Sequence, residues 1–242
     1  MATVDILAFG AHPDDVELSC SGTLALQRAL GYSSAIIDLT EGELGTRGTR
    51  EIRKQEAQKA AQILGVEARE NLGFRDGFFK NDEAHQLAIV QMIRKYRPKT
   101  VLANAFTDRH PDHGRGAAVV KEAVFLAGLR EIATQWEGQP QEAYRPQMLL
   151  HYIQFQAHKP DIIVNIGAHI QTKMKAIEAY ASQFYDPHSQ EPETVISGRN
   201  FLESITYRAK DLGRLIGADY GEGFTKAQDI GIQDLMNLQG VR

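Results

Sequence analysis

Short apolar runs alternate with longer amphipathic stretches through the first two thirds of the chain, and this alternation restricts its fold more than any other feature. The runs at 4–10, 35–39 and 100–105 have the length and composition of buried strands. The stretches at 49–64 and 83–96 place their apolar residues at helical spacing. This rhythm predicts a three-layer, Rossmann-like α/β fold, in which a mostly parallel sheet is covered by helices on both faces.

Further elements are predicted elsewhere in the chain from less regular patterns. They are helices at 22–30, 116–129, 170–182 and 201–216, a short strand at 71–74, and strands at 148–155 and 162–166. The polar segment 131–146 is predicted to be a surface excursion, and 185–198 to be a loop long enough to suggest function. The last twenty or so residues show no period that predicts an element.

Composition limits the kinds of protein that this chain can be. Its 242 residues are 43% apolar, and 27 basic side chains face 31 acidic ones, for a formal net charge of −4. That balance, without a long run of Lys or Arg, argues against nucleic acid as a partner. The single cysteine, Cys20, excludes an internal disulfide, and neither a signal peptide nor an apolar run of membrane-spanning length is found. We therefore expect one cytoplasmic domain over residues 1–242, without a membrane partner.

Two loops carry residues of the types that metal chemistry needs. The segment 11–15 (Ala-His-Pro-Asp-Asp) follows the first predicted strand, and 108–113 (Asp-Arg-His-Pro-Asp-His) follows the strand at 100–105. The carboxyl ends of parallel strands meet at the ligand-binding edge of an open sheet. We therefore expect three histidines and four aspartates to lie together along that edge. One His-Pro-Asp turn is explained by helix capping, but capping does not require a histidine twice.

Imidazole and carboxylate side chains in tight turns are suitable ligands for a hydrolytic zinc ion. Such a site has three protein ligands and one open position, and the zinc lowers the pKa of its bound water to about 7. A carboxylate outside the ligand set, Asp14 or Asp15, would accept a proton from that water. A spare imidazole, His110 or His113, would stabilise the oxyanion or protonate the leaving group. The residue pattern alone leaves open which aspartate and which histidine bind the metal.

The two loops also carry a family resemblance. Together with a Gly-rich loop, they resemble the LmbE-like (PIG-L) family of zinc-dependent de-N-acetylases, and within it the bacillithiol-biosynthesis branch. The resemblance rests on the segments 10–17, 38–40, 42–49, 51–53, 108–113, 158–160 and 182–184. Members of that branch remove the acetyl group from N-acetylglucosaminyl-malate. The resemblance therefore implies a small-molecule amino-sugar substrate and a homo-oligomeric enzyme.

The same resemblance assigns the metal ligands and the general base, position by position. It implies that His12, Asp15 and His113 bind zinc, and that Asp14 is the catalytic base. A site of two histidines and one aspartate can exchange zinc for iron(II), cobalt or manganese. The expected cofactor is therefore Zn²⁺, exchangeable with another divalent metal.

Further roles follow from the resemblance. His110 would assist the oxyanion or the leaving amine, and Asp112 would orient or polarise His110. Arg53 and Arg109 are the best matches for substrate binding, because a dicarboxylate such as malate favours bidentate guanidinium contacts. The chain departs from some relatives in carrying Phe201 where they have an oxyanion-assisting tyrosine. The candidates to replace that tyrosine are Tyr152, Tyr185 and Arg199.

Three other functions are compatible with parts of this pattern. One is deacetylation of another amino sugar or thiol conjugate, if the Gly-rich loop does not select malate. A two-metal phosphoesterase also uses Asp- and His-rich strand ends, but we find no third acidic motif to bridge two metals. A non-catalytic sugar-binding module should lose the base or a ligand first, and Asp14, His12, Asp15 and His113 are all present.

Overall fold

The computed structural model describes residues 3–237. The strands are β1 (Ile6–Gly10), β2 (Ser34–Thr40), β3 (Ala68–Phe74), β4 (Thr100–Ala103), β5 (Gln135–Trp136), β6 (Gln139–Pro140), β7 (Met148–Tyr152), β8 (Ile162–Asn165) and β9 (Gly221–Lys226). The helices are α1 (Asp15–Ala29), α2 (Arg50–Leu64), α3 (Glu83–Tyr96), α4 (Pro111–Ala127), α5 (Ile170–Glu178) and α6 (Arg199–Arg214). Short 3-10 turns cover Gly167–His169 and Leu235–Asn237.

A seven-stranded sheet organises the chain, with the strand order β3-β2-β1-β4-β7-β9-β8. The first five of these strands are parallel to one another, and Ile6 of β1 is paired with both Ser34 of β2 and Thr100 of β4. β9 runs antiparallel to both β7 and β8. The prediction of a mostly parallel α/β sheet is confirmed.

Helices cover both faces of the sheet because its central strands are apolar on both sides. β1 and β2 are buried along their whole length. Successive residues of a strand point to opposite faces, and Leu7 and Phe9 of β1 join one apolar cluster with residues of α3 and α4. Ile6 and Ala8 join a second cluster with residues of α1, α2 and α5. Three layers result, with apolar core on either side of the sheet.

β9 is a strand that the sequence pattern did not predict. Its glycines interrupt any alternation of apolar and polar residues, and a Cβ on Gly221 would lie 2.7 Å from Ile163 Cγ2 of the neighbouring strand. The segment is a strand because β7 and β8 pair with it, not because of its own periodicity. The end of the stretch without a predicted element, residues 238–242, lies outside the described residues.

The first helix also differs from its predicted bounds. α1 begins at Asp15 rather than near residue 22. The sequence pattern missed its first two turns because several of their buried residues are polar, which hides the helical spacing of apolar residues. The segment 131–146, predicted as a surface excursion, contains the short hairpin of β5 and β6. No helix within residues 3–237 is long and apolar enough to cross a membrane.

Candidate metal centre and active site

The two loops singled out in the sequence meet at one point on the carboxyl edge of the sheet. β1 and β4 are adjacent and parallel, and the segments 11–15 and 108–113 follow them. From β1 the chain continues to β2 on one side, whereas β7 extends the sheet from β4 on the other. The loops therefore leave from a topological switch point, where open α/β sheets form a ligand-binding crevice.

His12, Asp15 and His113 have the spacing of ligands around one metal ion. The Nε2 atom of His113 lies 3.1 Å from Asp15 Oδ1, and His12 Nδ1 lies 3.7 Å from Asp15 Oδ2. Ligand atoms held tetrahedrally at about 2.1 Å from zinc are about 3.4 Å apart. One nitrogen each of His12, His113 and His110 also lie within 4.8 Å of one another. The three residues therefore fit a divalent metal, with the Asp15 carboxylate between the two imidazoles.

Three hydrogen bonds fix the carboxylate of Asp15. Its Oδ2 accepts from the backbone N–H of His12 at 3.0 Å and from Asn104 Nδ2 at 2.9 Å, and its Oδ1 accepts from Gln154 Nε2 at 3.1 Å. Burial would raise the pKa of Asp15, but His113 and His12 lower it well below its usual range. Asp15 is therefore ionised at neutral pH, as a metal ligand must be. Asn104 and Gln154 were not predicted to take part.

A carboxylate contacts one ring nitrogen of each of these two imidazoles, on the side away from Asp15. Asp108 Oδ2 lies 2.5 Å from His113 Nδ1, and Asp76 Oδ1 lies 3.0 Å from His12 Nε2. With each carboxylate accepting a hydrogen bond from that nitrogen, His113 Nε2 and His12 Nδ1 would be the atoms that face a metal. Burial would lower the pKa of His12, but Asp112 and Asp76 raise it to about 10. These carboxylates give the site the negative potential that a divalent cation requires.

Asp76 is a residue of this centre that the sequence reasoning missed. It is buried in the loop after β3, at the same edge of the sheet. Its Oδ2 accepts from the Leu44 N–H at 3.0 Å, and its own N–H donates to Glu43 Oε1 at 2.9 Å. These bonds join the Gly-rich loop to the metal centre. The available signal was an aspartate just after the third predicted strand.

Asp14, the proposed base, is buried at the start of α1 in a strained backbone conformation. Its φ is +122°, a value that residues with a side chain rarely adopt. Burial raises the pKa of Asp14 to about 7, although the Arg53 guanidinium opposes the shift. A carboxylate with this pKa is suited to proton transfer near neutral pH.

The two arginines proposed for substrate binding have different surroundings. Arg53 is buried, with Nη2 3.4 Å from Asp14 Oδ2 and Nη1 donating to the Gly42 carbonyl at 2.7 Å. Arg109 is exposed beside the site, and its guanidinium carbon lies 5.0 Å from the centre of the Phe155 ring. Arg109 is therefore accessible to a substrate, whereas the guanidinium of Arg53 already contacts Asp14 and Gly42.

The structure changes the expected relation between His110 and Asp112. The backbone N–H of Asp112 donates to His110 Nδ1 at 3.3 Å, so we assign the ring proton of neutral His110 to Nε2. Burial, His12 and His113 lower the pKa of His110. The Asp112 carboxylate instead lies 3.4 Å from His12 Nε2 and accepts from the Gly77 N–H at 2.7 Å. The Asp112 carboxylate therefore contacts His12, while the backbone N–H of the same residue holds the His110 ring.

Tyr152 does not supply the oxyanion-assisting hydroxyl that the family resemblance leads us to expect. The Tyr152 hydroxyl is buried in the core, where it donates to the Phe9 carbonyl at 2.7 Å. Phe201, the residue expected to stand in place of a tyrosine, stacks with Phe155 and with Phe184, with ring centres 6.4 and 6.1 Å away. This position therefore contributes an apolar ring in place of a hydroxyl.

Comparison with known proteins identifies the family. Residues 7–124 match the model of the PIG-L family, described as GlcNAc-PI de-N-acetylase. Residues 7–124 of the chain are therefore a PIG-L family region. The matched stretch contains both loops of the metal centre. Metal-dependent deacetylases that hydrolyse amide bonds belong to this family, and the chain is an enzyme of that class.

Individual relatives extend the similarity over nearly the whole chain. The diacetylchitobiose deacetylase of Thermococcus kodakarensis is 29% identical and covers 90% of this chain and 81% of that protein. The crystal structure of a conserved protein from Thermus thermophilus is 36% identical with a TM-score of 0.85, over 96% of this chain and 99% of that one.

The bacillithiol branch is represented by a more distant relative. A probable N-acetyl-alpha-D-glucosaminyl L-malate deacetylase of Bacillus anthracis is 25% identical and covers 74% of this chain and 81% of that protein. The diacetylchitobiose deacetylase matches more of the chain at higher identity. The comparisons therefore confirm the predicted family and do not single out the bacillithiol branch.

Proposed function

We propose that this PIG-L family member is a zinc-dependent de-N-acetylase of an N-acetylglucosamine conjugate. The observation that carries the proposal is the spacing of His12, Asp15 and His113 around one position, with the buried Asp14 next to Asp15. Two imidazoles and one carboxylate form the donor set of a hydrolytic zinc site with an open fourth position. The same donors admit iron(II), cobalt or manganese, so zinc is the first metal to test.

The remaining residues support amide hydrolysis. A metal held by His12, Asp15 and His113 would polarise the acetamide carbonyl and lower the pKa of a bound water to about 7. Asp14 accepts the proton of the attacking water, because burial places its pKa near neutrality. His110 donates its Nε2–H to the former carbonyl oxygen as negative charge develops there. Protonated Asp14 then passes its proton to the leaving nitrogen, so the C–N bond breaks and acetate and a free amine are released.

Two conjugates are the candidates for the substrate. The Bacillus anthracis relative suggests a malate conjugate, and the Thermococcus kodakarensis relative suggests diacetylchitobiose. Arg109 supports the malate conjugate of bacillithiol biosynthesis, because it is an exposed guanidinium adjacent to His110 and guanidinium groups bind carboxylates in a bidentate manner. N-acetylglucosaminyl-malate is therefore the first substrate to test.

Metal analysis combined with an acetate-release assay tests the proposal. The substrates are N-acetylglucosaminyl-malate, N,N′-diacetylchitobiose and N-acetylglucosamine. We expect about one zinc per chain and faster acetate release from the malate conjugate than from the other two. Acetate release from diacetylchitobiose alone would support the deacetylase reaction and contradict the assignment of the malate conjugate as substrate. A metal-loaded protein that releases acetate from none of the three would contradict the proposed function.

A variant of Arg109 tests the substrate assignment separately. Arg109→Gln should raise KM for the malate conjugate and leave KM for diacetylchitobiose unchanged, because only malate carries carboxylates. Arg130→Gln, which removes another exposed arginine, is the matched control. An equal change of KM for both sugars would remove the carboxylate-binding role of Arg109.

A further inference from the structure

Three charged side chains from the last third of the chain converge on α1, the helix that carries Asp15. They are Lys173 of α5, Arg208 of α6 and Glu222 of β9. Lys173 and Glu222 form an ion pair at 2.7 Å, with side chains that are 2% and 3% exposed. Buried ion pairs often add no more stability than apolar side chains of similar volume. The burial of these charges therefore needs an explanation other than stability.

Lys173 and Arg208 donate to carbonyl groups in the first two turns of α1. Lys173 Nζ donates to the carbonyls of Glu17 and Leu18 at 3.1 and 3.0 Å. Arg208 Nη2 donates to the same Leu18 carbonyl at 2.8 Å. Hydrogen bonds from charged donors are stronger than those between neutral groups. This part of the α1 backbone is therefore held by two other helices.

Glu222 approaches α1 so closely that a side chain does not fit at Gly22. Its carboxylate accepts from the N–H groups of Gly22 and Thr23 at 3.0 and 2.6 Å, and from the Thr23 hydroxyl at 2.6 Å. A Cβ on Gly22 would lie 3.0 Å from Glu222 Oε1 and 2.7 Å from Ile166 Cδ1. Glycine lowers the stability of a helix interior, so this contact accounts for its presence in α1.

The network continues to the metal centre by two routes. The Leu18 N–H donates to the Asp14 carbonyl at 2.9 Å, so Arg208 holds the turn of α1 that begins at the proposed base. Arg208 Nη1 donates to the backbone carbonyl of Gln154, and the Gln154 side chain donates to Asp15 Oδ1 at 3.1 Å. Arg208 therefore forms hydrogen bonds with α1, which carries Asp15, and with Gln154, whose side chain holds the Asp15 carboxylate.

We infer that Arg208, together with the Lys173–Glu222 pair, is a positioning residue that sets the Asp15 carboxylate against His113 for metal binding. The inference rests on the metal site of the proposed function. The three residues lie beyond the stretch 7–124 that matches the family model. The last third of the chain thus contributes to the metal centre by holding a helix that carries one of its ligands.

Zinc affinity tests this inference without a substrate. Competition with a chelator measures the Zn²⁺ dissociation constant of the wild type, Arg208→Met and Arg208→Lys, each well below its own Tm. A lysine keeps the positive charge but lacks the forked donors that reach both Leu18 and Gln154. We expect both variants to bind zinc about 10- to 100-fold more weakly than the wild type. Arg214→Met, which removes an exposed arginine of the same helix that pairs with Asp211, should bind zinc like the wild type.

The outcomes separate a positioning role from a purely structural one. A residue that only stabilises the fold would lower Tm and leave the zinc dissociation constant unchanged. Full zinc affinity in the Arg208 variants would therefore overturn the inference. If Arg208→Met does not fold, full affinity in Arg208→Lys overturns it equally. A wild type that binds no zinc would instead refute the proposed function, and the inference with it.

Discussion

Replacing Asp76 with asparagine removes one negative charge from the metal centre at nearly constant side-chain size. Asp76 Oδ1 lies 3.0 Å from His12 Nε2, and Asp76 Oδ2 accepts from the Leu44 N–H at 3.0 Å. Both oxygens therefore face donors. An asparagine has one oxygen and one NH₂ group, so in either orientation its NH₂ group faces another donor. The variant loses the charge behind His12 and one matched hydrogen bond.

The expected loss of zinc affinity depends on the negative charge that remains beside His12. A carboxylate behind a metal-binding histidine contributes about 10- to 100-fold in metal affinity, or about 1.4 to 2.8 kcal/mol. Asp112 Oδ2, 3.4 Å from the same His12 nitrogen, still supplies a negative charge. We therefore expect the lower part of that range, a zinc affinity about 10- to 30-fold weaker. The mismatched donor should also lower the free energy of unfolding by about 1 to 3 kcal/mol.

Chelator competition at neutral pH measures the affinity, and urea unfolding measures the stability. Glu43→Gln is the matched control, because Glu43 accepts the Asp76 N–H at 2.9 Å and its replacement removes one charge from the same region while an acceptor remains. The control should bind zinc as tightly as the wild type. Unchanged zinc affinity in Asp76→Asn, or an equal loss in Glu43→Gln, would refute the idea that Asp76 orients His12.

Three further predictions concern the proposed base and the pH dependence of stability. Asp14→Asn should keep the metal and lose about 10²- to 10⁴-fold in kcat; a metal analysis that shows equal loss of zinc would make Asp14 a ligand. Arg53→Met removes the charge that opposes the raised pKa of Asp14, so the acidic limb of the kcat/KM profile should move to higher pH, and an unmoved limb would separate Arg53 from the base. Burial lowers the pKa of His151 from 6.5 to about 4. As the pH falls, this imidazole is therefore protonated in the unfolded chain at a higher pH than in the folded protein. Stability should therefore decline between pH 6.5 and 4, by up to about 3 kcal/mol, and His151→Gln should flatten that part of the urea-unfolding profile; a decline of equal slope would exclude His151 as its source.

The two loops of the metal centre were predictable because each is a local pattern. Segments 11–15 and 108–113 each place ligand-type side chains after a strand within a few residues, and the topology of a parallel sheet brings such strand ends together. The pattern did not decide which side chains face the metal. That choice depends on the hydrogen bonds that the outer nitrogens of the imidazoles donate to Asp76 and Asp108, which only the folded structure shows.

The residues that complete the centre were harder to predict because they have no local signature. Gln154 reaches Asp15 across 139 positions of the chain, and an amide after a strand is common in proteins without such a contact. Arg53 has the appearance of an exposed helix residue, but in the fold it is buried and its guanidinium contacts the Gly42 carbonyl and the Asp14 carboxylate. β9 has no periodicity of its own and becomes a strand through pairing with β7 and β8.

The backbone of Asp14 has a consequence for protein engineering. A φ of +122° in a residue with a side chain costs about 1 to 3 kcal/mol, and glycine at this position would relieve that strain. The same substitution would delete the proposed base. A library selected for heat resistance alone should therefore enrich inactive clones at position 14, whereas a screen that also reads turnover should retain the aspartate. Thermostability in this enzyme is best sought at positions remote from the start of α1.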